Sequence, residues 1–151
     1  MKSNGAQLNI KLVFFFATFL PFISSANEPS CIETAMTQSD MNQCILLDYK
    51  KADAELNRVY RKIREIYKDD QLFLAKLKKS QLAWGKLRDA DFELEYPYTN
   101  EPNYYGSSFS MCEFDFNTQL TLQRTKYLKR WLIGREDGDV CSGSQKSEYN
   151  M

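Results

Sequence analysis

"ILLDYKKADAELNRVYRKIREI", residues 45–66, is the stretch on which the fold turns. Ile45, Tyr49, Ala52, Leu56, Val59, Ile63 and Ile66 recur at alternating steps of four and three. That spacing holds over three heptads, with no proline or glycine to break it. It predicts one long helix over about residues 37–67. At 1.5 Å per residue the helix would be roughly 45 Å long. Just upstream, Thr37 followed by Asp40 resembles a capping box with Asp in place of Glu, and it opens the helix. Residues 27–36, ahead of it, read as extended.

Downstream, "KDD" at Lys68–Asp70 is a polar turn, and Asp69 or Asp70 can cap a second helix. Its inner stripe is Leu74, Leu77, Gln81, Trp84 and Arg88, and it should end near Leu94. "EYPYTNEPNYYGSS", residues 95–108, holds two prolines, a glycine and no period, so it is a loop. A third helix is expected over about 109–133, stopped by Gly134. The tail "REDGDVCSGSQKSEYNM" is polar and reads as loose after Cys141. The fold class is all-α: an antiparallel three-helix bundle with a long Tyr/Pro-rich crossover loop, stapled by disulfide. The heptad stripes also allow a dimer, and the sequence leaves the oligomeric state open.

Residues 1–26 stand apart. Lys2 and Lys11 lie in a stretch without acids, followed by the apolar run "LVFFFATFLPFISSA" at residues 12–26. Ser24 and Ala26 are small residues at the −3 and −1 positions of a cleavage site. This reads as a secretory signal peptide cleaved after Ala26. The run is shorter than the ~20 residues that a membrane-spanning helix needs. No cysteine stands at the cleavage point to carry a lipid anchor, so the mature chain should be periplasmic or secreted and not membrane-anchored. The division is a signal peptide at 1–26, a helical domain at 27–134 and a polar tail at 135–151. The mature chain of roughly 125 residues is one domain's worth.

The chain has 20 basic and 20 acidic residues. Losing Lys2 and Lys11 leaves 18 against 20, a balance that argues against nucleic acid as a partner. There is no histidine. This removes the commonest general base and metal ligand, and with them Ser–His–Asp and Cys–His hydrolases. No metal site and no cofactor is expected. The four cysteines suit an oxidising compartment. Cys31–Cys44, tying the first residues to the first helix, is the expected bridge. Cys112–Cys141 meets a geometric problem. A continuous helix from Cys112 to residue 133 is about 32 Å long, and residues 134–141 reach back at most about 28 Å. Cys44–Cys112 is the alternative, and the second pairing stays open.

Each helix carries polar residues on or beside its apolar stripe. The first has Asp53, Asn57 and Tyr60 at helical spacing. The second has Gln81, Trp84, Arg88 and Asp89. The third has Thr121, Arg124 and Leu128. Two readings fit. One is a hydrogen-bonded network that sets the register of the helices, with Asp53, Asn57, Gln81, Trp84, Arg88, Asp89, Thr121 and Arg124 as members. The other is a carboxylate-and-arginine site for a small anion or sugar; the first is preferred because this face points at other helices. Asp89, Asp91, Glu93 and Glu95 alternate along one helix and point apart, whereas a glycosidase needs two carboxylates facing each other across about 5–10 Å. No catalytic residue is assigned. Lys76, Lys78, Lys79 and Lys86 read as a solvated face. The loop residues Tyr96, Tyr98, Glu101, Tyr104 and Tyr105 are the candidate binding surface. The tyrosines could equally close the bundle end.

Four segments in order, "SCIETAMTQSDMNQC", "YKKADAELNRVYRKI", "QLAWGKLRDADFE" and "GSSFSMCEFDFNTQLTLQRTKYL", resemble the LprI-like N-terminal domain family. The resemblance runs from Cys31 to Trp131. It implies a small secreted bacterial helical domain, not an enzyme, that binds and blocks lysozyme. Family members often carry a cysteine just after the "RD" pair, where this chain has Ala90, Asp91 and Phe92. That cysteine would partner the Cys112 position, so the resemblance leaves Cys141 as a substitute or a free thiol. The resulting expectation is a secreted or periplasmic binding domain whose partner is lysozyme or another envelope protein, acting by occluding the lysozyme cleft. An envelope scaffolding module without that activity is the alternative, and a carboxylate-dependent hydrolase is the remote one.

Overall fold

The computed structural model describes residues 29–150, so the signal segment read at 1–26 lies outside the described residues. Among those residues the chain is all-helical. The elements are α1 (Cys31–Thr34), α2 (Gln38–Ile66), α3 (Gln71–Glu95) and α4 (Phe109–Ile133), with a 3₁₀ turn at Glu148–Asn150. No helix among the described residues is long and apolar enough to cross a membrane.

Local chemistry sets the ends. Asp40 N–H donates to Thr37 Oγ1 at 3.1 Å, and Thr37 N–H donates to the Asp40 carboxylate at 3.0 Å. This reciprocal cap starts α2 where the sequence placed it. Asp70 accepts from Phe73 N–H at 2.9 Å and starts α3. Gly134, with φ 80° and ψ −170°, ends α4 in a conformation open essentially only to glycine. The segment expected to be extended instead holds the single turn α1. Glu33 reaches back to accept from Ser30 N–H, and the Cys31–Cys44 disulfide pins the turn to α2 with the Cα atoms 5.5 Å apart. Four residues are too short to show a period, so the pattern could not reveal this turn.

The heptad stripe of α2 is buried at Ala52, Leu56, Val59 and Ile63. It meets Thr118, Thr121, Thr125 and Leu128 of α4, also buried. The Thr118 and Thr125 hydroxyls donate back to the carbonyls of Phe114 and Thr121, at 2.7 and 2.8 Å. Both hydroxyls are thus satisfied within α4. Contacts between α2 and α4 ascend together: Asn42 with Ser107, Tyr49 with Phe114, Glu55 with Lys129. Contacts between α3 and α4 descend: Phe73 with Trp131, Gln81 with Arg124, Phe92 with Phe116, Tyr96 with Phe109.

The apolar core lies at the α2–α3 corner and joins Leu56, Val59, Ile63, Tyr67, Phe73, Leu77 and Leu128. The tail, read as loose, is docked against this corner. Lys146 N–H donates to the Tyr67 hydroxyl at 2.9 Å, and Lys146 Nζ donates to the Ile66 carbonyl at 2.8 Å. Gln145 is buried, and Arg135 N–H pairs with the Lys146 carbonyl at 3.0 Å. The polar tail binds because a buried tyrosine hydroxyl and the unpaired carbonyls at the end of α2 need partners.

Candidate functional site

At the opposite end from that core, the loop of residues 96–108 forms an aromatic pole. Its backbone is a series of tight turns: Glu101 N–H to Tyr98 O, Tyr104 N–H to Glu101 O, Gly106 N–H to Asn103 O. Asn103 and Gly106 take left-handed φ values of 62° and 74° to allow them. The four tyrosines divide into two pairs. Tyr96 and Tyr105 lie back over the bundle. Tyr96 packs edge-on against Phe109 at 5.3 Å and Tyr105 at 5.5 Å, and Tyr105 stacks on Phe109 at 4.9 Å. Burial pushes the Tyr96 phenol up from its ordinary pKa. Tyr98 and Tyr104 pair with each other at 4.6 Å and remain 46% and 55% exposed. Tyr98 N–H donates to Tyr105 Oη at 3.2 Å, so the exposed pair is held on the packed pair. Glu101 is exposed between them.

The charge around this pole is one-sided, and pattern reading missed it. From Asp89 to Gln123 the sequence has seven carboxylates and no lysine or arginine. From Gln71 to Arg88 it has five cations and no acid. The signal was legible as a run of like charge, but separate motifs hide it. Asp89, Asp91, Glu93 and Glu95 crowd the last two turns of α3, where the helix dipole disfavours negative charge. Asp89, Glu93 and Glu95 are exposed and Asp91 is half-buried. No hydrogen bond joins any two of these four carboxylates.

The expected polar network forms only in part. Arg124, 9% exposed, donates from Nε to Gln81 Oε1 at 3.0 Å and from Nη2 to Ser80 Oγ at 2.9 Å. Its guanidinium lies 5.8 Å from the Trp84 ring and 5.4 Å from that of Tyr127. Burial lowers its pKa from the ordinary value. The Arg88 guanidinium lies 5.3 Å from the centre of the same Trp84 ring and pairs with the neighbouring Asp89 at 2.9 Å. Four other expected members, Asp53, Asn57, Asp89 and Thr121, do not join the network. Asp53 and Asn57 bond to each other at 2.9 Å within α2 and do not reach α3 or α4. Asp89 is an exposed partner of Arg88, not a buried carboxylate. The Thr121 hydroxyl is fully buried and without a partner. The α2–α4 clamp is instead Glu55, which holds Lys129 at 2.8 Å and Arg58 at 2.7 Å. A residue one position off the apolar stripe reaches across because a lysine stem spans the gap.

Cys31–Cys44 is the disulfide, and Cys112 and Cys141 are free thiols. An unbroken α4 keeps Cys112 a full helix length from Gly134, and Cys44 is already taken. Lys76, Lys78, Lys79 and Lys86 are exposed. Among the described residues no group of three or more His, Cys, Asp or Glu side chains could hold a metal ion.

Fold and bridge define a small all-helical domain tied by one disulfide near its first turn. The chain matches lysozyme inhibitor LprI over residues 31–128 and belongs to that family. It is 34% identical over 121 residues to an uncharacterized protein of Rhizobium meliloti (strain 1021), covering 73% of this chain and 84% of that protein. No solved structure matches it.

Proposed function

We propose that this chain is a periplasmic or secreted, non-enzymatic binding domain that blocks a lysozyme with its acidic, tyrosine-bearing pole. The frame is taken as an antiparallel three-helix bundle, supported by the ascending α2–α4 and descending α3–α4 contacts. The observation that carries the reading is the exposed Tyr98–Tyr104 pair set among carboxylates that α3 holds against its own dipole. That arrangement costs stability, so its use is external. Tyrosine supplies rigid contact area with a polar tip, the chemistry of an interface anchor. A predominantly acidic surface steers toward a basic lysozyme face. Tyr98 and Tyr104 then fill the cleft in place of saccharide rings.

Lysozyme activity on cell walls, measured with and without the oxidised domain across several lysozyme types, tests this. Dose-dependent inhibition that disappears in Tyr98→Ala/Tyr104→Ala is the expected result. Inhibition of no type would leave an envelope interaction module whose partner lies elsewhere.

A further inference from the structure

A second feature lies on the α3–α4 seam, next to the acidic end of α3. There a groove of about 300 Å³ has Trp84, Arg88, Asp91, Gln123, Arg124 and Tyr127 in its lining, beside two leucines. Arg124 is nine-tenths buried, yet no carboxylate among the described residues lies within ion-pair distance of it. Its hydrogen bonds go to the neutral oxygens of Gln81 and Ser80, and none engages its Nη1. Arg88 adds a second guanidinium on Trp84, its Nε and Nη2 both spent on the single oxygen Asp89 Oδ1. A buried cation without a counter-ion is expensive, and aromatic faces repay only part of that cost. Gln81 and Ser80 accept as neutral oxygens and leave the positive charge uncompensated.

We propose that this groove binds a sugar acid. Its carboxylate supplies the missing counter-ion to Arg124 and takes a further donor from Arg88, and its ring lies against Trp84 and Tyr127. The guanidinium fork suits a carboxylate, for which it offers paired donors. Asp91 is bridged to neither arginine, and with Gln123 it accepts from the hydroxyls of the ring. A carboxylate without a polyhydroxylated ring would leave those two groups unused, and a neutral sugar would leave the guanidinium unpaired. The inference does not depend on lysozyme inhibition, because none of the lining residues belongs to the loop.

Calorimetric titration of the purified protein with N-acetylmuramic acid and glucuronic acid tests it, with N-acetylglucosamine, glucose and acetate as controls. The expected result is saturable binding of the two acids and none of the controls. Arg88→Gln, at a half-buried position that the core does not use, should weaken that binding about tenfold. Arg124→Lys keeps the charge but loses the fork, and should weaken it as well in protein that still melts cooperatively. No heat from either acid overturns the proposal. So does equal binding of neutral sugars or acetate, or an unchanged affinity in Arg88→Gln.

Discussion

The Glu55 carboxylate meets Lys129 Nζ at 2.8 Å and so ties α2 to α4 across the seam that carries most of the packing. Hydrogen bonds from Arg58 and then Lys129 hold its pKa down, from the ordinary 4.5 to about 2. A carboxylate depressed in the folded state contributes fully above its unfolded pKa, and that contribution is lost as pH falls through the folded value. The window is therefore pH 4.5 down to about 2. Solvent reaches both side chains, so the screened contribution is about 0.5–1 kcal/mol. Glu55→Gln should lower stability by that amount in denaturant melts at pH 7. The difference should vanish near pH 2.

Arg124 and Arg88 share Trp84 but are not equivalent. Arg124→Ala strands Gln81 and Ser80 and opens space beside the indole, at a cost of about 2–4 kcal/mol. Arg88 loses an exposed partner and a half-exposed contact with Trp84, so Arg88→Ala should stay within about 1 kcal/mol of the parent. Parallel urea melts would show the order, and equal losses would contradict it.

Thr121 offers a gain. Its side chain is fully buried and its hydroxyl has no partner. Thr121→Val removes that polar atom at nearly constant shape, and should stabilise by up to about 1 kcal/mol. A loss on thermal denaturation would mean that the hydroxyl is satisfied after all.

Gly134 carries two constraints. Its φ of 80° belongs to the left-handed side, and a Cβ there would lie 2.9 Å from the Glu148 backbone. Gly134→Ala should cost about 1–3 kcal/mol and release the tail. Tyr67→Phe leaves the tail's backbone geometry alone but orphans Lys146 N–H, for about 1–2 kcal/mol. Hydrogen exchange at Lys146 should accelerate in both variants.

The loop tyrosines should divide the same way. Tyr105→Ala removes a stacked ring and the acceptor for Tyr98 N–H, so it should lower the melting temperature clearly. Tyr98→Ala and Tyr104→Ala should each stay within about 0.5 kcal/mol of the parent. Equal destabilisation by all three would make the exposed pair structural and weaken its role in binding.

Periodicity made the long helices legible, with Thr37, Asp70 and Gly134 marking three of their ends. It found the buried stripe of α2 because Ala52, Leu56, Val59 and Ile63 repeat without interruption. It found Arg124 with Gln81, since both sit on inner faces. It failed where geometry depends on reach. Asp53 and Glu55 are both acids beside the stripe, and only the fold shows that Glu55 meets a lysine. Phe73 lay outside the expected stripe, yet it stacks on Tyr67 at 4.3 Å in the core. The tail lacks any period, so nothing local announces that Lys146 binds Tyr67.

That last contact has a consequence in time. Tyr67 and Lys146 are 79 residues apart, and synthesis at about 5–20 residues per second separates them by roughly 4–16 s. Throughout that interval the α2–α3 corner is complete in sequence but uncapped in space, with its tyrosine hydroxyl open to water. The main partner of α2, the helix α4, also arrives late. The contacts that join α2 to α4, and the corner to the tail, are therefore the last that the growing chain can make.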